Sequence, residues 1–194
     1  MWDEEYADLD PAFAERDRIR KKGLPVQIAR TRRLVIREIV AEDVPYLFEI
    51  FQQPGIKDMM RPPRTLEEER EFMRAYISHA YAFYDYGLWC VLEKKSGKIV
   101  GEAGLFPSER VKDAVEMGYI IAPDFQRRGY AAECGEAVLA YAFHTLDLEE
   151  IHLFTDRDNQ ASLRTAKRLG FQVLEEGGGD SGLLHLRALP APPT

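Results

Sequence analysis

The segment Glu116-Met-Gly118-Tyr-Ile-Ile121-Ala-Pro-Asp-Phe-Gln126-Arg-Arg-Gly129-Tyr-Ala-Ala132 passes from one structural pattern to another without a pause. A strand-like run ends at Ile121, a short loop contains one glycine, and a helical pattern opens at about Ala131. The first turn of a helix exposes unpaired N–H groups and the positive end of the dipole. Gly129 lets the backbone approach a ligand and aim those groups at an anion. Arg127 and Arg128 add charge, and Ala131 is small enough not to obstruct. Together these residues make a phosphate cradle at a helix N-terminus. The GxxxxGK[ST] and GxGxxG patterns are both absent, so a pyrophosphate is expected without nucleotide-hydrolase or dinucleotide chemistry. Taken alone, the loop reads more readily as an ordinary strand-to-helix turn with solvated arginines.

Working outward, the pattern alternates between strand and helix. Before the loop come a strand near Leu34–Ile39, a helix over Ala41–Gln53 closed by Pro54-Gly55, and a helix near Leu66–Phe83. Thr65 and Glu68 form a capping box for the second helix. Strand-like runs follow at Leu88–Glu93, Ile99–Phe106 and Ala114–Ile121, the first two joined as a hairpin by Lys95-Ser-Gly-Lys. After the loop come a helix over Ala131–Thr145, a strand at Ile151–Thr155, a helix over Asn159–Leu169 stopped by Gly170, and strands near Phe171–Leu174 and Leu183–Leu189. The expectation is one α/β domain of mixed α+β type: a mostly antiparallel sheet of about seven strands flanked by about four helices, over residues 26–189. Residues 1–25 are a charged N-terminal extension, either a short surface helix opened by Asp10-Pro11 or a mobile tail, and residues 190–194 are a disordered end.

Composition narrows the class. Twenty-six basic against 33 acidic residues give a formal charge of −7, which argues against a nucleic-acid surface covering the whole protein. No run approaches the roughly 20 apolar residues that span a bilayer, so no membrane partner is expected. The acidic start MWDEEYADLD has neither the basic head nor the apolar run of a signal peptide, and the two cysteines, Cys90 and Cys134, sit singly, so a reducing cytoplasmic setting is the expectation. His79, His144, His152 and His185 lack metal-ligand spacing, and no metal is expected. Gly177-Gly178-Gly179 has no following Lys-Ser/Thr and reads as a hairpin tip.

Gln126-x-x-Gly129-x-Ala131 after a strand resembles the acyl-coenzyme-A pyrophosphate loop of the GCN5-related N-acetyltransferase (GNAT) superfamily. The element order from Arg33 to about Leu189 is similar to that fold, as are Glu116-x-Gly118-Tyr119 on its fourth strand and Asn159-x-x-Ser162 opening its last helix. Arg33-Leu-Val-Ile-Arg beside Glu42-Asp43 is most similar to the RimJ/RimL-like ribosomal-protein alanine acetyltransferase branch.

The resemblance implies acetyl-CoA as cofactor and acetyl transfer to a primary amine by direct attack in a ternary complex. The acceptor is either a protein N-terminus or a small amine, and acidic residues at Glu67–Glu71 and Asp85 hint at a cationic one. It also implies a fourth strand that carries a bulge and splays from the fifth, with the pantetheine arm in the gap. Backbone groups of Ile120, Ile121 and Ala122 would bond that arm, one N–H would face the thioester oxygen, and the pyrophosphate would rest on amides from Gln126 through Arg127, Arg128, Gly129 and Tyr130 to Ala131. Glu116 becomes the candidate general base, directly or through a water, unless it is a surface-facing strand glutamate. Asn159 would touch the cofactor and Ser162 would lie near its sulfur, although both also suit a plain helix cap. Many family members carry a tyrosine on the last helix as general acid; this helix has none, so Ser162 or solvent must serve. Part of the aromatic set Tyr76, Tyr81, Phe83, Tyr84, Tyr86 and Trp89 would border the acceptor, and an exposed sheet edge would offer a surface for a homodimer. The alternative function is a non-catalytic acyl-CoA-binding or regulatory module.

Overall fold

The computed structural model describes residues 11–56, 65–174 and 182–191. Eight strands make one sheet: β1 (Gln27–Arg30), β2 (Leu34–Glu38), β3 (Leu88–Glu93), β4 (Ile99–Pro107), β5 (Val115–Ile121), β6 (Ile151–Asp156), β7 (Gln172–Val173) and β8 (Leu183–Ala188). Their order is β1-β2-β3-β4-β5-β6-β8-β7, and every neighbouring pair is antiparallel except β5 with β6. Among the described residues there are five α-helices: α1 (Pro11–Lys21), α2 (Val44–Phe51), α3 (Leu66–Tyr84), α4 (Tyr130–His144) and α5 (Gln160–Arg168).

Most boundaries follow from local chemistry. The Thr65 hydroxyl accepts the Glu68 N–H at 3.3 Å while Glu68 accepts the Thr65 N–H at 2.7 Å, the reciprocal cap that starts α3. The helix expected over Ala41–Gln53 begins instead as a 3₁₀ turn at Ala41–Asp43, and α2 starts at Val44 with Pro45 in its first turn. The eighth strand, β1, is an addition to the expected seven; its polar ends Gln27 and Arg30 hide any alternation, and it exists by pairing along β2 at the sheet edge. The expected bulge on the strand before the loop is also displaced. β5 pairs with β4 in unbroken register from Val115 to Ile121, and the irregularity falls on β4, opposite Val91 and Leu92. Asp10 and the glycines 177–179 lie outside the described residues.

Apolar residues fill two layers. Between the sheet and α4 lie Trp89, Val91, Val100, Ala103, Leu105, Met117, Cys134 and Val138. Between the sheet and α2–α3 lie Ile39, Val44, Leu47, Phe51, Met73 and Cys90. Both cysteines are free and buried, and burial pushes the Cys134 thiol up to about 12, leaving it a small hydrophobe.

The N-terminal extension forms a helix at the expected place, but it is bound by ions and not by an apolar face. No residue of α1 is itself buried. Arg16 Nε lies 2.8 Å from Asp85, and Arg20 spans Glu38 at 2.7 Å and Asp85 at 2.8 Å. The carboxylates are nearly buried, with side-chain exposures of 4% for Glu38 and 9% for Asp85. Asp85 sits at the left-handed C-cap of α3 (φ 57°), so one network joins α1, β2 and the end of α3. Removing one partner of such a group leaves a buried charge uncompensated. Arg20→Met is therefore expected to lower stability by about 3–5 kcal/mol, read from the urea midpoint at constant slope. A change below about 0.5 kcal/mol would mean that α1 contributes nothing to the fold.

Candidate active site

β5 and β6 run parallel, yet they share a single residue pair, Glu116 with His152. Each is held along its length by its other neighbour: β5 by β4 from Val115 to Ile121, β6 by β8 from Ile151 to Asp156. The sheet is thus two antiparallel halves joined at one point, and beyond it the C-terminal ends of β5 and β6 flank a gap.

The backbone of β5 decides what lines that gap. In an antiparallel pair, residues that bond to the partner alternate with residues whose N–H and C=O point away. Ala122 gives its N–H to Val100 O at 2.9 Å, which sets the phase. Ile120 falls in the same phase; a Cβ on Gly101 would stand 2.0 Å from its carbonyl oxygen, so that oxygen faces β4 and only glycine fits opposite. Tyr119 and Ile121 therefore present their backbone groups towards β6. Of the residues expected around pantetheine, Ile120 and the Ala122 N–H are committed to β4, Ile121 keeps its N–H for the gap, and Tyr119 joins it.

The loop after β5 ends in an unfilled helix start. Gly129 is the N-cap of α4 at φ 78°, and no side chain caps the helix. The Gln126 N–H goes to Pro123 O and the Glu133 N–H to Gly129 O. Among the described residues, the N–H groups from Arg127 to Ala132 have no acceptor. A Cβ at Gly129 would meet only Arg33 Nη2, at 3.5 Å, so a ligand can come close to this backbone. The expected side chains divide. Gln126 braces the loop by donating to Ile121 O at 2.9 Å, and Arg128 turns back to Asp124 O at 2.7 Å. Tyr130 donates to Glu93 at 2.6 Å with the Arg33 guanidinium over its ring. Arg127 is exposed and has no partner among the described residues. Among the described residues of the loop, Arg127 is the arginine without a partner, and Arg128, Gly129, Tyr130 and Ala131 have N–H groups without an acceptor.

Across the gap, Asn159 caps α5 by accepting the Ser162 N–H at 3.0 Å. The Ser162 hydroxyl lies 3.3 Å from the Tyr119 hydroxyl. α5 has no tyrosine, but β5 brings a phenol to its first turn. Burial raises the proton affinity of Tyr119, with the Ser162 contact opposing. In the sequence it stands in the Glu116-x-Gly118-Tyr119 run and alternates with Met117 on one face of β5.

With α4 and α5 on one face, the gap opens to the other. Glu116 lies on this second face but at the closed end, 3% exposed, accepting from Ser108 Oγ at 2.6 Å and pairing with Arg110 at 3.3 Å. Two strand positions bring Glu102 of β4 opposite Ile120. Glu102 is 7% exposed, and its side chain has no hydrogen-bond or ion-pair partner among the described residues. Burial, and then the like charge of Glu69, push its carboxyl up to about 8. Sequence pattern alone missed it, because Gly101-Glu102-Ala103 carries no mark of burial. The aromatic set separates: Tyr81 and Trp89 belong to the core, and Phe83 is 79% exposed. No group of three metal-binding side chains occurs among the described residues.

Similar proteins have the same plan. Residues 33–172 match the family model described as an acetyltransferase (GNAT) domain. The uncharacterized N-acetyltransferase YoaA of Bacillus subtilis is 26% identical over 75% of this chain and 82% of its own length. Spermidine N(1)-acetyltransferase of Escherichia coli strain K12 is 24% identical over 67% of this chain and 76% of its own. The structure of RimL, a ribosomal L7/L12 alpha-N-protein acetyltransferase, superposes with a TM-score of 0.70 at 18% identity, covering 86% of this chain and 96% of that one. With more than half of its residues matched to the family model and the strand gap and helix start in place, the chain belongs to the GNAT acetyltransferase family.

Proposed function

We propose that the chain transfers the acetyl group of acetyl-CoA to a cationic primary amine, by direct attack with both substrates bound. The observation that carries this reading is the row of unfilled N–H groups from Arg127 to Ala132 at the mouth of the gap between β5 and β6. Acetyl-CoA supplies an activated thioester and a thiol leaving group. The residues present suit it. The N–H row, the α4 dipole and Arg127 would hold the pyrophosphate, and Gly129 leaves room for it. The inward groups of Tyr119 and Ile121 would bond the pantetheine arm like an added strand and place one N–H where negative charge gathers on the carbonyl oxygen. The Asn159 amide nitrogen would reach the same arm. Tyr119, kept protonated by burial, would with Ser162 hold a proton for the departing sulfur.

The acceptor has to arrive from the α2–α3 face. Of the other acidic residues expected near the acceptor, Glu67 pairs with Arg70 at 3.6 Å, Glu68 caps Thr65, and Asp85 at the end of α3 is held by Arg16 and Arg20. Glu102 supports a cationic amine better: it is a buried carboxyl without a partner among the described residues. Glu116, already satisfied by Ser108 and Arg110, reads as a carboxylate that fixes the closed end of the gap. A small cationic acceptor fits a lone buried carboxyl more readily than a protein N-terminus does.

Gly129→Glu is expected to weaken coenzyme A binding in isothermal titration by at least a hundredfold with the melting curve unchanged, as a side chain and a negative charge enter the cradle. Affinity within twofold of the native value would refute the cradle. Glu102 titrates from 4.5 unfolded to about 8 folded, so the fold holds its proton more tightly and stability falls as pH rises through that window. Glu102→Gln is expected to stabilise the protein increasingly from pH 5 to pH 8, by on the order of 4 kcal/mol at the upper end, and to raise KM for a diamine about tenfold above pH 8, where the native carboxyl is ionised. A stability difference that does not change with pH would mean that Glu102 is not a buried titrating carboxyl.

A further inference from the structure

Three ionisable side chains are joined in a line across β6 and β8. Glu150 Oε1 lies 2.9 Å from His152 Nε2, and His152 Nδ1 lies 2.6 Å from His185 Nε2. Arg187 donates to the other Glu150 oxygen at 3.0 Å. The His185 ring also stacks on Phe154, its partner across the β6–β8 ladder, at 4.4 Å between centroids and 11° between planes. Phe154 lies two residues past the last β5–β6 pair, on the far wall of the gap and on the same face as Glu116.

The line has a direction. The His152 hydrogen bond and the Arg187 contact keep Glu150 ionised, so it can only accept, and His152 Nε2 must carry the proton. A ring with one proton then accepts at Nδ1, so His185 Nε2 must be the donor. With one proton on each ring, every contact along Glu150, His152 and His185 joins a donor to an acceptor. His185 with a single proton is thus left with a bare lone pair on Nδ1, which has no hydrogen-bond partner among the described residues.

We propose that His185 Nδ1 is the proton acceptor for the attacking amine, with His152 and Glu150 as positioning residues that fix its tautomer. The inference rests on the acetyltransferase reading. The ammonium first gives one proton to solvent; the free amine nitrogen then bonds to the acetyl carbon, and the carbon–sulfur bond breaks with its electron pair on sulfur. The amine's proton passes to His185 Nδ1, and sulfur takes a proton from the Tyr119–Ser162 pair, which solvent restores as His185 releases its own. Burial holds His185 below the ordinary histidine range; His152 and Arg187 act in the same sense, and Glu116 and Glu150 oppose them. Arg110 adds a cation on the same face, its guanidinium 5.0 Å from the Phe154 ring centroid. The group is therefore a free base at neutral pH, and kcat/KM should rise with pH through its titration and then level off.

Two measurements test this. Histidine ¹⁵N spectra of the ligand-free protein at pH 7 should give His185 an Nε2–H tautomer with unprotonated Nδ1, and Glu150→Gln should weaken that preference. Acetyl transfer from acetyl-CoA to a panel of primary amines should fall about 10²–10³-fold in His185→Gln, with coenzyme A affinity and melting temperature kept. In Glu150→Gln the acid limb of kcat/KM should move to lower pH, because the charge that favours the imidazolium is gone. An Nδ1–H tautomer at His185, or a His185→Gln rate within threefold of native, overturns the proposal while native turnover stands. Absence of transfer by the native protein to every amine removes the acetyltransferase reading itself, and this inference with it.

Discussion

Among the described residues, Glu116 and His152 form the one residue pair between β5 and β6, and the layout of the site depends on how little else joins those strands. Because β5 is fully paired to β4 and β6 to β8, each half-sheet is complete without the other, and the twist of each carries the strand ends apart. A parallel pair left open would expose backbone N–H and C=O groups at substantial cost unless something bonds to them. In this chain the exposed groups belong to Tyr119 and Ile121, and they lead without interruption into the uncapped start of α4. One topological fact thus supplies both an open strand edge and a row of unbonded N–H groups at its mouth.

Charge is distributed to suit that arrangement. The chain is acidic overall, with a formal charge of −7, yet the arginines near the loop have separate tasks. Arg33 ties the β1–β2 turn to Glu133 in the first turn of α4 and bonds Arg128 O, which holds the loop in shape. Arg128 braces the loop from within, and Arg127 is left for a ligand. On the opposite face the carboxylates are sorted as well. Glu38 and Asp85 are neutralised by α1, Glu116 by Arg110, Glu150 by Arg187, and Glu102 has no counter-charge among the described residues.

Much of the fold was legible because its signals are local. The capping box at Thr65, the turn at Gly97, the stop at Gly170 and the strand–loop–helix segment around Gly129 each depend on a few adjacent residues, and each lies where the pattern puts it. The site was legible only in part. Hydrogen-bond phase along β5 depends on its partner β4, so the sequence could not tell that Ile120 faces away from the gap and Tyr119 towards it. The direction of a long side chain is equally hidden, which is why Gln126 and Arg128 looked like ligands and prove to be braces. The burial of Glu102 is set by what packs over its strand, and the Glu150–His152–His185 line crosses from β6 to a strand 33 residues on, so no spacing rule reaches either.

On the proposed reading, the open side of β5 and the start of α4 form one continuous cofactor slot. Amide hydrogen exchange followed residue by residue, with and without coenzyme A, tests it most directly. Protection should appear together at Tyr119, Ile121 and the run from Arg127 to Ala132, leaving the β2–β3 ladder unchanged. Binding of coenzyme A without new protection at those amides, or with protection centred elsewhere on the sheet, would contradict it.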